Sequence, residues 1–203
     1  MIPEYEAWIG KTEVFKEQLS EVNTKRLYHT LNITDSPPSS GESVFPLALL
    51  ILGEPSVSPE EIGEDGHPVR GGLMPPISLK RRMFAGGEYE FHQPLLVGDE
   101  VRVTWCITDI IRKNGSSGEL IFVNIRRDFH AMEILCATEI RKIVYTDSDP
   151  KARPLDDPEM NGEWIEEMHS DSLQLFRFSA LTFNCHRIHY DRPYATEVEG
   201  YPG

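Results

Sequence analysis

Between residues 88 and 146 the chain reads as one strand after another with only short breaks, and this limits its possible folds more than any other feature. Glu88–Phe91 alternates in polarity, and Pro94-Leu95-Leu96-Val97-Gly98-Asp99 forms a turn into Glu100–Ile107, where polar and apolar residues again alternate. Lys113-Asn114-Gly115-Ser116-Ser117-Gly118 carries the Asn-Gly signal of a hairpin loop. Leu120–Ile125 and Ile134–Val144 follow as further strands. Consecutive strands joined by short loops predict an antiparallel sheet with one packed and one wetted face.

The remainder supplies helix and loop. Residues 6–31 are predicted helical, because Val14, Phe15, Leu19, Val22, Leu27 and Leu31 recur at roughly helical spacing, with Asn32 as the stop. The expected class is therefore α+β. Thr34–Gly41 is a loop by composition, and Phe45–Leu52 is a buried strand or a short helix. Ser58-Pro59-Glu60-Glu61 fits one helical turn opened by an N-cap serine and a proline. The Gly- and Pro-rich stretch 63–76 holds His67, Arg70 and Gly71-Gly72, and leads through Lys80-Arg81-Arg82 to Gly86-Gly87. Cations between glycines fit either backbone and charge closing on an anion or a solvated basic turn. Residues 148–163 are acidic and Pro-rich, and read as an interdomain linker.

A formal net charge of -13 excludes nucleic acid as the expected partner, since phosphate binding needs a basic face. Local arginines can still meet an anionic small molecule. The longest apolar run, Phe45–Leu52, is too short to span a bilayer, so no membrane role is expected. The N-terminus has neither a basic signal region nor transit-peptide character, which makes cytoplasmic the expectation, or mitochondrial if a transit peptide has been removed. Cys106, Cys136 and Cys185 form no paired motif; they are expected to be reduced thiols, the first two in the core, and no metal site is expected.

The chemistry concentrates in Arg177-Phe178-Ser179-Ala180-Leu181-Thr182-Phe183-Asn184-Cys185-His186-Arg187-Ile188-His189-Tyr190-Asp191, running on to Glu199-Gly200-Tyr201-Pro202-Gly203. A segment that opens apolar and turns polar reads as a strand end or loop presenting functional groups from a scaffold.

This closing run resembles the second-half signature of the double-hotdog hydratases of the MaoC-like superfamily, in the branch of itaconyl-CoA and mesaconyl-CoA hydratases and type 2 hydroxyacyl-thioester dehydratases. Arg70-Gly71-Gly72-Leu73-Met74-Pro75-Pro76 with Arg81–Gly87 is similar to the first half of such proteins, and Phe91–Val101 to a hotdog strand-turn-strand. The resemblance implies a sheet wrapping a helix, with a first hotdog over 1–147, a linker over 148–163, and an incomplete second hotdog from 164 to 203. It implies reversible hydration of an enoyl-CoA thioester, favouring a short branched dicarboxylic acyl group (mesaconyl or itaconyl). The alternatives are a 3-hydroxyacyl-carrier-protein dehydratase and a non-catalytic thioester-binding subunit. No cofactor is implied, since the CoA thioester is itself the substrate.

The wider hydratase pattern places an Asp, four intervening residues and a His at the thioester. Here these positions hold Asn184 and His189. An amide cannot exchange a proton at neutral pH, so proton transfer would fall to His189, with a second acid elsewhere. Asp191 is the nearest candidate, and in a strand it would share a face with His189. Arg81 and Arg82 are expected at a CoA phosphate or acyl carboxylate, and Arg187 at a carboxylate or phosphate. Tyr190, Tyr194 and Tyr201 are expected to wall the pocket, and His186 to be structural. Gly203 ends the turn before the oxyanion helix, whose donors are expected outside this sequence. A strand at Phe178–Phe183 lacking its helix would need another cover, so a homodimer is expected.

Overall fold

The architecture is one five-stranded antiparallel sheet with helices and tight turns laid against it. The computed structural model describes residues 3–115, 118–148, 163, 165 and 169–201. Its regular elements are β1 (Thr12–Gln18), α1 (Glu21–Thr30), β2 (Arg81–Phe91), β3 (Glu100–Gly115), β4 (Gly118–Ala131), β5 (Ile134–Thr146) and α2 (Ser172–Leu181). The strand order is β1-β3-β4-β5-β2. Among the described residues, no helix is long and apolar enough to cross a membrane.

The period-two pattern of β3 translates directly into burial: Val101, Val103, Trp105 and Ile107 face the core, while Arg102, Thr104 and Cys106 are half-buried on the other face. β4 continues well beyond the expected Leu120–Ile125, because Arg127, Phe129 and Ala131 keep the same inward phase. Leu27 of α1 and Leu79 and Ile77 before β2 join these residues in a single core. Cys136 belongs to that core, whereas Cys106 lies half-buried on the outer face; all three cysteines are free.

Several expectations are corrected. Residues 12–18 form edge strand β1, paired with β3, and the helix begins only at Glu21, where the Ser20 side chain accepts from the Asn23 N–H. β1 is exposed on both faces apart from Phe15, so its apolar residues carried no alternation to set against the helical spacing. Phe45–Leu52 resolves into a 3-10 turn over Pro46–Ile51, and the turn at Pro59–Glu61 closes with a Ser58–Glu61 capping box. Arg81 and Arg82 open a strand, and Gly86-Gly87 lie inside it at a bulge between Phe84 and Gly86. Residues 172–181 are a helix, so Phe178 lies on a helix and not on a strand. The stretch read as a linker lies outside the described residues except Ser148 and Glu163.

The core row holds a buried pair of opposite charges. Trp105, Arg127 and Glu139 stand opposite one another across β3, β4 and β5. Arg127 and Glu139 are both 0% exposed and meet at 2.6 Å through Nη1 and Oε2. Arg141 binds the same carboxylate at 2.9 Å and also Glu54 at 2.9 Å. Burial pushes the Glu139 carboxyl up, but Arg141 and Arg127 outweigh it and keep it below the ordinary range. Arg127 Nη2 donates to the Leu52 carbonyl at 2.7 Å and Trp105 Nε1 to the Gly53 carbonyl at 2.9 Å, while Glu17 accepts from the Gly53 N–H. Gly53 sits at φ +69, and a Cβ there would lie 2.6 Å from Val103 Cβ. Only glycine can make this approach.

Breaking one member of a buried ion pair leaves an uncompensated charge and costs roughly 3–5 kcal/mol. Arg127→Met should therefore lower the urea-unfolding free energy by about that amount, and Arg127→Met with Glu139→Leu should recover a good part of it. A loss below about 1 kcal/mol in the single variant would mean that the pair does not hold the sheet.

Candidate active site

The end of α2 delivers the closing segment to its place. Asp171 caps the helix by accepting from the Gln174 N–H at 2.7 Å, and Gln174 Nε2 donates to the Thr30 carbonyl of α1. Phe183 then takes φ +53 and Asn184 N donates back to the Ser179 carbonyl at 2.9 Å, so the chain reverses at the helix end. A 3-10 turn over Arg187–His189 follows.

Asn184 and His189 are brought together. Asn184 Nδ2 lies 3.2 Å from His189 Nε2, and Asn184 Oδ1 accepts from the His186 backbone N–H at 3.0 Å. A backbone N–H can only donate, so the oxygen of the amide must face it and the NH2 must face His189. His189 Nε2 is therefore the nitrogen with the lone pair.

The residues facing this turn come from more than a hundred positions away. Gly66, at φ +87, packs so closely that a Cβ on it would lie 2.0 Å from the Cys185 carbonyl oxygen. Arg187 N donates to the Asp65 carbonyl at 3.0 Å, and Arg187 Nη1 to the Glu64 carbonyl at 3.1 Å. This seats His67 on the closing segment: its ring centroid is 4.1 Å from that of His186, which in turn is 5.8 Å from that of His189. Asp65 accepts from the His67 ring at 3.1 Å and from its N–H at 3.0 Å. Sequence reasoning singled out neither Asp65 nor the pairing of His67 with His186. The pattern Gly63-Glu64-Asp65-Gly66-His67 was visible, but nothing local tied it to residues 184–189.

The other candidates fall into two groups. The Arg187 charge is taken up by Asp191 at 2.7 Å, and its guanidinium lies 4.2 Å from the Tyr194 ring centroid. Asp191 also accepts from the Tyr194 N–H, so it braces the turn, and no strand aligns it with His189. Arg81 donates to the Val198 carbonyl at 2.8 Å and lies 3.8 Å from Glu199, which itself accepts from the buried Tyr194 hydroxyl. Tyr190 and Tyr201 are exposed, and Gly203 lies outside the described residues. Arg82 differs: it is half-buried and, among the described residues, meets no hydrogen-bond or ion-pair partner. It stands opposite Tyr145, a fully buried residue whose hydroxyl is unpartnered, and its charge reaches Asp65, His67 and His186.

Burial dominates the electrostatics. It pushes His186 down to about 3, helped by His67, and lowers His67 and His189 as well. Burial would raise the Asp65 carboxyl, but hydrogen bonds from the His67 ring and backbone hold it at about 2. At neutral pH the cluster is thus three neutral imidazoles beside one carboxylate and one uncommitted guanidinium.

Comparison with known proteins shows what the chain is similar to. The model of the family described as hydroxyacyl-thioester dehydratase type 2 matches residues 48–203. A mesaconyl-C(4)-CoA hydratase of Chloroflexus aurantiacus is 40% identical over 200 residues, covering 97% of this chain and 71% of that protein. A mitochondrial hydroxyacyl-thioester dehydratase type 2 of Schizosaccharomyces pombe is 30% identical over 174 residues, covering 71% of this chain and 57% of that protein. A solved MaoC-like dehydratase from Phytophthora capsici superposes with a TM-score of 0.59 at 16% identity, covering 95% of this chain and 67% of that one. The last likeness is one of fold, and the architecture is the α+β hotdog expected from the sequence.

The depressed imidazoles make folding pH-dependent with a definite sign. Unfolded imidazoles protonate near 6.5, but the folded chain resists protonation down to about 3 at His186. Stability is complete above the unfolded value and falls as pH drops below it. The urea midpoint should be lower at about pH 5 than at about pH 7.5, and His186→Phe should shrink that difference. An undiminished difference in the variant would remove His186 from the effect.

Proposed function

The chain belongs to the hydroxyacyl-thioester dehydratase type 2 family, and on that premise we propose that it adds water reversibly to an enoyl-CoA thioester, favouring a short branched dicarboxylic acyl group such as mesaconyl or itaconyl. It is a hydro-lyase. The observation that carries the catalytic reading is the Asn184–His189 pair, with the His189 lone pair on Nε2 and an amide donor facing it.

The attacking water would displace the direct contact between the two side chains, accepting from Asn184 Nδ2 and donating to His189 Nε2. His189 would take its proton as the oxygen bonds to Cβ. An imidazole suits this because burial keeps it neutral, with its lone pair available at working pH. Asn184 contributes orientation, which its chemistry permits, and no proton, which its chemistry forbids.

Arg82 supports the dicarboxylic preference. Its side chain starts opposite Tyr145 and its charge reaches the imidazole cluster and Asp65, yet among the described residues no carboxylate forms an ion pair with it. A second carboxylate on the acyl group supplies the missing partner, which a guanidinium can hold through two parallel hydrogen bonds.

The test is the loss of enoyl-thioester absorbance with mesaconyl-, itaconyl- and crotonyl-CoA. His189→Ala should reduce turnover by about a hundredfold or more on every substrate the chain accepts. Arg82→Gln should cost mesaconyl-CoA roughly tenfold to a hundredfold in kcat/KM while leaving crotonyl-CoA nearly unchanged, since a hydrogen bond to a charged group is worth about 1.5–3 kcal/mol. Equal losses on both substrates would remove Arg82 as the reader of a carboxylate.

A further inference from the structure

Adding water across a double bond moves two protons, one off the water and one onto Cα. Asn184 can serve neither transfer, and Asp191 is committed to Arg187 and the Tyr194 N–H. The groups around His67 meet the requirement that remains.

His67 Nδ1 faces Asp65 Oδ2 at 3.1 Å. An ionised carboxylate only accepts, so Nδ1 carries the proton and Nε2 holds the lone pair. Among the described residues, nothing hydrogen-bonds Nε2. Asp65 is held from both sides, by the His67 N–H on its other oxygen and by Arg187 N on its carbonyl. The two side chains are 19% and 20% exposed, largely dry yet reachable. His186 lies between this ring and His189, at 4.1 and 5.8 Å.

The two outer imidazoles have opposite surroundings. His67 faces a carboxylate, which favours its charged form. His189 faces an amide N–H, which favours its lone pair. The other charges near His67 are Arg82 on β2 and Arg70 before it, both opposing protonation, and His186 beside it is neutral. Burial lowers both, but His67 alone of the two has a carboxylate on its ring to face a charge, and neighbouring groups whose environments differ in this way divide acid from base roles.

Building on the hydratase reading, we propose that His67, positioned by Asp65, is the second proton-transfer group of this site and exchanges the Cα proton, while His189 serves the water. In hydration, His189 Nε2 takes a proton from water as the O–Cβ bond forms and the π pair moves onto the thioester oxygen. His67, after taking a proton from solvent on Nε2 with Asp65 facing the charge, gives that proton to Cα as the carbonyl re-forms. His67 ends neutral and His189 protonated, and exchange with solvent restores both. In dehydration, His67 Nε2 takes the Cα proton, with Asp65 facing the charge, and His189 protonates the departing hydroxyl. Asp65 acts through His67 and is a positioning residue.

The experiment measures hydration of crotonyl- and mesaconyl-CoA against pH for the wild type, His67→Gln, His67→Ala, Asp65→Asn and His189→Ala. His67→Gln should lose about a hundredfold to ten-thousandfold in kcat with KM changed little, and added imidazole should partly restore His67→Ala. Asp65→Asn should move the alkaline limb of the kcat/KM profile to lower pH, which a merely structural role would not do. A His67→Gln variant within about threefold of wild-type kcat, or an unmoved alkaline limb in Asp65→Asn, overturns the proposal while the hydratase reading stands. Should His67→Gln fail to fold, the Asp65→Asn limb and the 15N tautomer of His67 in the wild type decide it. A proton on Nε2 in place of Nδ1 overturns it. A wild type inert on every enoyl-CoA overturns the hydratase reading, and this proposal with it.

Discussion

The guanidinium of Arg127 has no exposed surface, and it sits where an aliphatic side chain would ordinarily fill the inner face of a sheet. Desolvating such a charge is expensive, and the structure offsets that cost with Glu139, the Leu52 carbonyl and the Trp105 and Phe129 ring faces. The arrangement does more than satisfy a charge. Because Arg127 and Trp105 both donate to carbonyls of the Leu52-Gly53 connection, the sheet grips the chain at the point where it leaves the core towards residues 59–67. The loop that carries Asp65 and His67 thus starts from a fixed anchor.

The far side of that loop is fixed by contact with the closing segment. Gly66 lies against the Cys185 carbonyl, and the Asp65 and Glu64 carbonyls receive Arg187. The Arg187–Asp191 pair is therefore a brace: it sets the guanidinium and the turn that present His186 and His189 to His67. The same contact buries the imidazoles and keeps them neutral, as the proposed uptake of a proton by His189 requires. Stability in acid is given up for that neutrality.

Much of the sheet was legible. The alternation of Val101, Val103, Trp105 and Ile107 is a local property of consecutive residues, and burial followed it. β1 was not legible because an edge strand wetted on both faces has no alternation to show, and Val14 and Phe15 fell by chance on a helical spacing with Leu19 and Leu27. α2 was misread in the other direction. Phe178-Ser179-Ala180-Leu181 looks strand-like alone, but Asp171 caps a helix seven residues earlier, and Phe178 and Leu181 pack on the core from helical positions.

For the site, the sequence by itself offered Asn184 and His189, through the resemblance of the closing run to the hydratase pattern, and the structure brings the two side chains to 3.2 Å. On the same resemblance it raised the question of a second proton carrier, because an amide stands where the hydratase pattern has a carboxylate. Only the tertiary structure decided which groups surround that pair. Asp65 and His67 reach it across about 120 residues of chain, through a glycine contact and backbone hydrogen bonds that depend on how two loops pack. It likewise decided that Arg81 is tied to Val198 and Glu199 while its neighbour Arg82 has no hydrogen-bond or ion-pair partner among the described residues. Successive residues of a strand point to opposite faces, so adjacent arginines of identical chemistry meet different surroundings, and no local pattern reveals which one finds a partner.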